Sequence, residues 1–104
     1  MKIWLDDVRP PPDGWTWAKS PSSFWAEMAI AETADIEITA ISFDNDLGDG
    51  KTEGWELVNS LLKILQRGVV RPLNAELSCH SMNPVAKARI EATLEDIRNL
   101  REIT

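Results

Sequence analysis

"ISFDNDLGDG", residues 41–50, decides the fold. A short apolar run, Ile41-Ser42-Phe43, stops at Asp44, Asn45 and Asp46, and the chain then breaks at Gly48, Asp49 and Gly50. An apolar run bounded by turn residues reads as a buried strand. The β-branched and apolar residues before it carry that strand back to Glu37, so residues 37–43 are expected to be extended. The carboxylates then lie just past its carboxyl end. Three carboxylates within six residues repel one another unless some take up protons or a cation sits among them.

Working outward, two other segments end in the same way. Lys2-Ile3-Trp4-Leu5 stops at Asp6-Asp7, and residues 74–79, which alternate apolar and polar, stop at His80-Ser81-Met82-Asn83-Pro84. Between them lie the connections. Residues 9–14, Arg-Pro-Pro-Pro-Asp-Gly, exclude a helix, and residues 15–19 read as a further strand. Ser20-Pro21 has the form of an N-cap followed by proline at the first helical position. That helix is expected to run to about residue 33 with Phe24, Met28 and Ala31 on one face. Thr52 is expected to open a second helix striped by Trp55, Val58, Leu61, Leu62 and Leu65, with Gly68 as its C-cap. Asn83-Pro84 begin a last helix bearing Ile90, Leu94, Ile97 and Leu100.

Strands alternating with helices imply right-handed crossovers and a mostly parallel sheet. Such sheets bind ligands outside the carboxyl ends of their strands. Asp6-Asp7, Asp44-Asn45-Asp46 and His80-Ser81-Asn83 are therefore expected on one rim. Residues 74–79 are expected at the sheet edge, where an open strand invites pairing, so a homodimer through this strand is an expectation.

The whole chain sets the bounds. Its 104 residues suffice for a single domain, residues 1–104, with one core. A net charge of −6 argues against broad binding to nucleic acid or anionic membrane. No apolar run is long enough for a membrane span, and the N-terminus turns acidic too early for a secretory signal. Cys79 stands alone, which excludes an internal disulfide and fits a reducing, cytoplasmic setting. The five tryptophans read as fillers of core space.

The rim chemistry follows from its residue types. Carboxylates from two strand ends suit a hard divalent ion, Mg²⁺ or Mn²⁺, held with waters and a substrate phosphate. Asp6, Asp7, Asp44 and Asp46 are the candidate metal ligands. The loop is not an EF-hand, since Gly48 and Asp49 stand where that motif needs Asp/Asn and then Gly. An exposed acidic turn is the other reading of Asp44-x-Asp46. His80, the sole histidine, suits proton transfer near neutrality, though a lone histidine is more often structural. Arg9 suits a phosphate oxygen or simply solvent. Ser81 and Asn83 suit an oxyanion, but both are also turn and cap residues.

The arrangement resembles a phosphoacceptor receiver domain. In that family an acidic pair follows the first strand, as Asp6-Asp7 do, and an aspartate ends the third, as Asp44 does before Asn45-Asp46-Leu47-Gly48. Ser81 is the closest counterpart of the small hydroxyl residue after the fourth strand. The first helix of that family is replaced here by Arg9-Pro10-Pro11-Pro12-Asp13-Gly14, and its fifth strand and phosphate-binding lysine have no counterpart. The implied fold is a truncated, receiver-like (flavodoxin-like) α/β three-layer sandwich of about four mostly parallel strands. "WLDDVRPPPDGW", "FDNDLG" and "HSMNP" together resemble a narrower branch, the cyclic-phosphate-processing receiver domain.

That resemblance implies metal-dependent hydrolysis of cyclic phosphates, on a phosphate-containing small molecule or on the 2′,3′-cyclic phosphate of an RNA end during RNA repair. It implies an acidic metal site of Asp6, Asp7, Asp44 and Asp46, with His80 an added polar group and Arg9 on phosphate. In the enzyme reading Asp44 and His80 are catalytic: water or Asp44 attacks the metal-bound phosphate and His80 protonates the leaving oxygen. The alternative is a non-catalytic receiver-like module that binds metal, phosphate or a protein partner.

Overall fold

In a computed structural model, which describes residues 1–47, 53–68 and 73–103, strands and helices alternate. In chain order they are β1 (Lys2–Leu5), β2 (Thr16–Ala18), α1 (Pro21–Thr33), β3 (Ala40–Phe43), α2 (Gly54–Arg67), β4 (Glu76–Cys79) and α3 (Pro84–Ile103). The four strands form one parallel sheet in the order β2-β1-β3-β4. This is the receiver-like, flavodoxin-like order, with β4 at one edge.

Register places the side chains. Leu5, Phe43 and Cys79 share one rung, as do Ile3, Ile41 and Leu77, and these residues are buried. Because side chains alternate across a strand, Trp4, Ser42 and Ser78, on the rung between, point to the other face. The steps from β2 to β3 and from β3 to β4 cross the sheet in the same direction. Right-handed crossovers therefore put α1 and α2 on the same side. Phe24 of α1, Leu57, Val58 and Leu61 of α2, and Ile90, Leu94 and Ile97 of α3 join one core with the Leu5–Phe43 face. Each such large side chain, once fully buried, stabilises the fold by about 1.5–3 kcal/mol.

The step from β1 to β2 runs the opposite way, so a helix there would cover the other face. Pro10-Pro11-Pro12 prevent it. Instead the Arg9–Trp15 loop lies over that face: Trp4 Nε1 donates to the Arg9 carbonyl at 2.9 Å and the Trp4 and Trp15 rings meet edge-on at 6.0 Å. The third layer of the sandwich is thus a loop and its indoles.

Helix ends follow their caps. Ser20 Oγ accepts the Ser23 N–H at 3.1 Å with Pro21 next to it. Gly68 closes α2 in the left-handed region at φ 68°, which favours glycine. Asn83 Oδ1 accepts the N–H groups of Val85 and Ala86 and caps α3.

Three details differ from expectation. β3 begins at Ala40, and residues 37–39 are tied instead to Met1, whose carbonyl accepts the Thr39 N–H at 2.9 Å. Leu57 joins the buried stripe of α2, while Trp55, Leu62 and Leu65 are only partly buried. The expected opening of α2 at Thr52 lies outside the described residues, as do Gly48, Asp49 and Gly50. The described helix starts at Gly54, and its N-cap residue, Glu53, makes no side-chain cap bond.

The free edge of β4 is covered. Glu76 and His80 direct their N–H groups toward the β3 side, so the backbone carbonyls of the buried Ala75 and Leu77 face the open edge. Arg98 and Arg101 of α3 donate to the Leu77 and Ala75 carbonyls at 2.6 and 2.7 Å. Among the described residues no helix is long and apolar enough to cross a membrane.

Candidate metal centre

The rung beyond Leu5–Phe43–Cys79 is Asp6–Asp44–His80. The backbone ladder extends through it: the Asp6 N–H reaches the Ala18 carbonyl at 3.1 Å, Asp44 reaches Leu5 at 3.0 Å and His80 reaches Phe43 at 3.0 Å. Parity puts all three side chains on the helix-free face. One ligand atom from each lies within 4.8 Å of the others. Two carboxylates and an imidazole, separated by dozens of residues in sequence, thus meet on adjacent strands.

Asp6 is almost fully buried. Its Oδ1 accepts the N–H groups of Val8 at 2.9 Å and Arg9 at 2.7 Å, and its Oδ2 lies 3.0 Å from His80 Nε2. Burial alone would push this carboxyl up, but the Arg9 and Val8 N–H groups and the imidazole together hold it below the usual range. Asp44 differs. Its Oδ1 accepts only the adjacent Asn45 N–H at 2.9 Å among the hydrogen bonds described. Burial, then the charges of Asp6 and Asp46, push it up against that bond and the nearby imidazole. Of the two carboxylates, Asp44 is the one whose charge the fold opposes.

His80 is held on three sides. Nε2 faces Asp6, Nδ1 lies 2.7 Å from Ser42 Oγ, and the ring stacks on Trp4 with centroids 3.8 Å apart and planes 6° from parallel. Burial favours the neutral ring and lowers its pKa, although Asp6 and Asp44 oppose this.

The remaining candidates occupy different places. Asp7 and Asp46 belong to the same two loops but not to the convergent group; Asp46 is exposed, and its Oδ1 lies 3.4 Å from Asn45 Nδ2. The Arg9 side chain is exposed at the rim and donates to the His80 carbonyl at 3.2 Å, joining the first loop to the last. Ser81 is buried, and its Oγ accepts the Asn83 N–H at 3.2 Å. Asn83 uses its side chain as the α3 cap. Ser81 and Asn83 thus shape the turn that presents His80.

Asn45, between the two aspartates, anchors α2. Its carbonyl accepts the Gly54 N–H at 2.8 Å and its Oδ1 accepts the Trp55 N–H at 3.3 Å. The sequence reading missed Ser42, Trp4 and this role of Asn45. The signal for the first two was present: Trp4, Ser42 and Ser78 each stand two positions before a site residue and hence on the same face.

A four-stranded parallel sheet in this order, with paired aspartates beyond adjacent strand ends, defines a receiver-like α/β domain. The family model for the cyclic-phosphate processing receiver domain matches residues 1–96, and the chain belongs to that family. No curated protein and no solved structure matches the chain significantly.

Proposed function

We propose that this protein hydrolyses cyclic phosphates in a metal-dependent reaction centred on Asp6, Asp44 and His80. The observation that carries this reading is the convergence of the three groups at the ligand-binding end of the sheet, in a member of a cyclic-phosphate processing family. Two oxygen donors and one nitrogen donor on one rung fit a divalent cation, Mg²⁺ or Mn²⁺ being the ions expected from the carboxylates. Such an ion, when bound, supplies charge neutralisation at a phosphoryl group.

The chain's own residues do the rest. Asp6 and Asp44 hold the charge at the rim, and Asp7 and Asp46 add negative potential in the same loops. Arg9 offers a guanidinium to the phosphate oxygens, while its bond to the His80 carbonyl keeps the first and last loops together. In the reaction the oxygen of one water joins phosphorus and the bond from phosphorus to one ribose oxygen breaks. The water's proton ends on that leaving oxygen, giving a phosphate monoester.

The substrate class is a 2′,3′-cyclic phosphate, on a mononucleotide or at an RNA end awaiting repair, in a cytoplasmic setting. Self-association through β4, expected from its edge position, requires Arg98 and Arg101 to leave the outward carbonyls.

The test is incubation of the protein with 2′,3′-cyclic nucleotides and with RNA ending in a cyclic phosphate, with and without Mn²⁺. Metal-dependent ring opening, lost in Asp44→Ala, is the expected result. No ring opening of either substrate in either condition would leave the non-catalytic, metal- or phosphate-binding reading in place.

A further inference from the structure

We propose that His80 is a nitrogen ligand of the metal centre, that Ser42 is the positioning residue that turns its Nε2 toward Asp6 and Asp44, and that the centre therefore prefers Mn²⁺, Co²⁺ or Zn²⁺ to Mg²⁺. The inference rests on the metal-dependent reading above and assigns His80 a role other than the proton donor expected from sequence.

Geometry leads to it. A proton donor needs an N–H directed at the substrate, but neither ring nitrogen of His80 is free. Nδ1 is engaged by Ser42 Oγ at 2.7 Å, and Nε2 points at the carboxylates, 3.0 Å from Asp6 Oδ2. The ring cannot flip without losing the Ser42 contact, and it cannot tilt without losing its stack on Trp4.

Ligand chemistry agrees. Neighbouring ligands of a six-coordinate ion with bonds of about 2.1 Å stand about 3.0 Å apart. The separation of Nε2 and Asp6 Oδ2 is 3.0 Å. A histidine that binds metal through one nitrogen donates the N–H of the other to an outer partner, which fixes the tautomer. Ser42 Oγ, buried inside β3 two residues before Asp44 and on the same face, is placed to accept from Nδ1. Binding through Nε2 then requires the ring proton on Nδ1, donated to Ser42 Oγ. Mg²⁺ favours all-oxygen shells and dehydrates reluctantly, whereas imidazole suits the softer divalent ions.

The experiment uses the full chain stripped of metal and labelled with ¹⁵N-histidine. His80 is the only histidine, so both ring signals belong to it, and their couplings to the ring C–H protons tell Nδ1 from Nε2. On adding Zn²⁺, Nε2 is expected to move to the position of a metal-bound nitrogen while Nδ1 becomes the protonated one. Calorimetry is expected to show Mn²⁺ and Zn²⁺ binding at least about tenfold tighter than Mg²⁺, a preference lost in His80→Gln. Ser42→Ala is expected to weaken Mn²⁺ binding roughly 10–100-fold, and Ser42→Thr to restore it. A Nε2 signal unmoved by Zn²⁺, or Mn²⁺ affinity retained in His80→Gln, overturns the assignment of His80. Failure of Ser42→Thr to restore affinity overturns the role of Ser42. None of these readouts uses turnover. Metal bound through His80 without ring opening would defeat the proposed function alone, and Mg²⁺-supported ring opening with metal affinity intact in His80→Gln would defeat the ligand assignment alone.

Discussion

Replacing Gly54 with alanine tests whether α2 holds the acidic loop in place. Gly54 opens α2 directly against the Asp44–Asn45 peptide. A methyl group there would run into the Asp44 carbonyl oxygen and come within 2.8 Å of Asn45 Cα, both backbone atoms that cannot swing aside. Either the helix or the loop must move. Overpacking of this kind costs about 1–3 kcal/mol. Moving the helix also strains the bonds from Gly54 N–H to the Asn45 carbonyl and from Trp55 N–H to Asn45 Oδ1, each with a net value of about 0.5–1.5 kcal/mol. Alanine returns at most about 1 kcal/mol through helix propensity. The expected net loss is about 3 kcal/mol, or roughly 12–24 °C in melting temperature for a domain of this size. Thermal unfolding followed by circular dichroism measures it. Because Asp44 shares the displaced peptide, the variant is also expected to lose most of the stabilisation that Mn²⁺ gives the parent. A Gly54→Ala protein that melts with the parent, or above it, would refute the tight contact.

Asp44→Asn probes the carboxylate whose pKa the fold raises. A raised folded pKa contributes stability that is present below the unfolded value, about 3.9, and is lost as pH rises through the folded one. Without metal, Asp44→Asn is therefore expected to melt higher than the parent at pH 7, with the gain vanishing below about pH 4. In the parent, an ion at about 100 times its dissociation constant adds about 2.7 kcal/mol, and most of that is expected to disappear in Asp44→Asn. Arg9→Ala is expected to weaken substrate binding by roughly 1.5–3 kcal/mol if the guanidinium holds phosphate, read as a rise in KM with kcat little changed. Removing Arg98 and Arg101 together bares the Leu77 and Ala75 carbonyls, so light scattering is expected to show concentration-dependent self-association beyond that of the parent. Equal masses for the two proteins would mean that the arginines do not guard this edge.

Much of this was legible because it is local. Ser20-Pro21, Gly68 and Asn83-Pro84 end or begin helices by their own chemistry, and the apolar runs before Asp6, Asp44 and His80 mark strands without tertiary information. The convergence of Asp6, Asp44 and His80 follows from parallel register alone. What escaped depends on partners distant in sequence. Glu53 makes no cap bond, and Asn45, at the far end of the β3–α2 connection, accepts from the α2 N-terminus instead. Ser42 looks like an ordinary polar residue in a strand until His80 is set beside it. The covering of the β4 edge needs α3 in place, since nothing in residues 74–79 announces two arginines about twenty residues later.

The Asp6–Asp44–His80 rung has a consequence for how the protein comes into being. Its three members are contributed by the beginning, middle and later part of the chain, and each is placed by pairing with a neighbouring strand. The pairing of β1 with β3 brings the two carboxylates side by side, and only the pairing of β3 with β4 adds the imidazole. Without that pairing the rim holds both carboxylates and Arg9 but not the imidazole that faces Asp6. The proposed chemistry therefore depends on the β3–β4 pairing, which alone brings the imidazole to the two carboxylates.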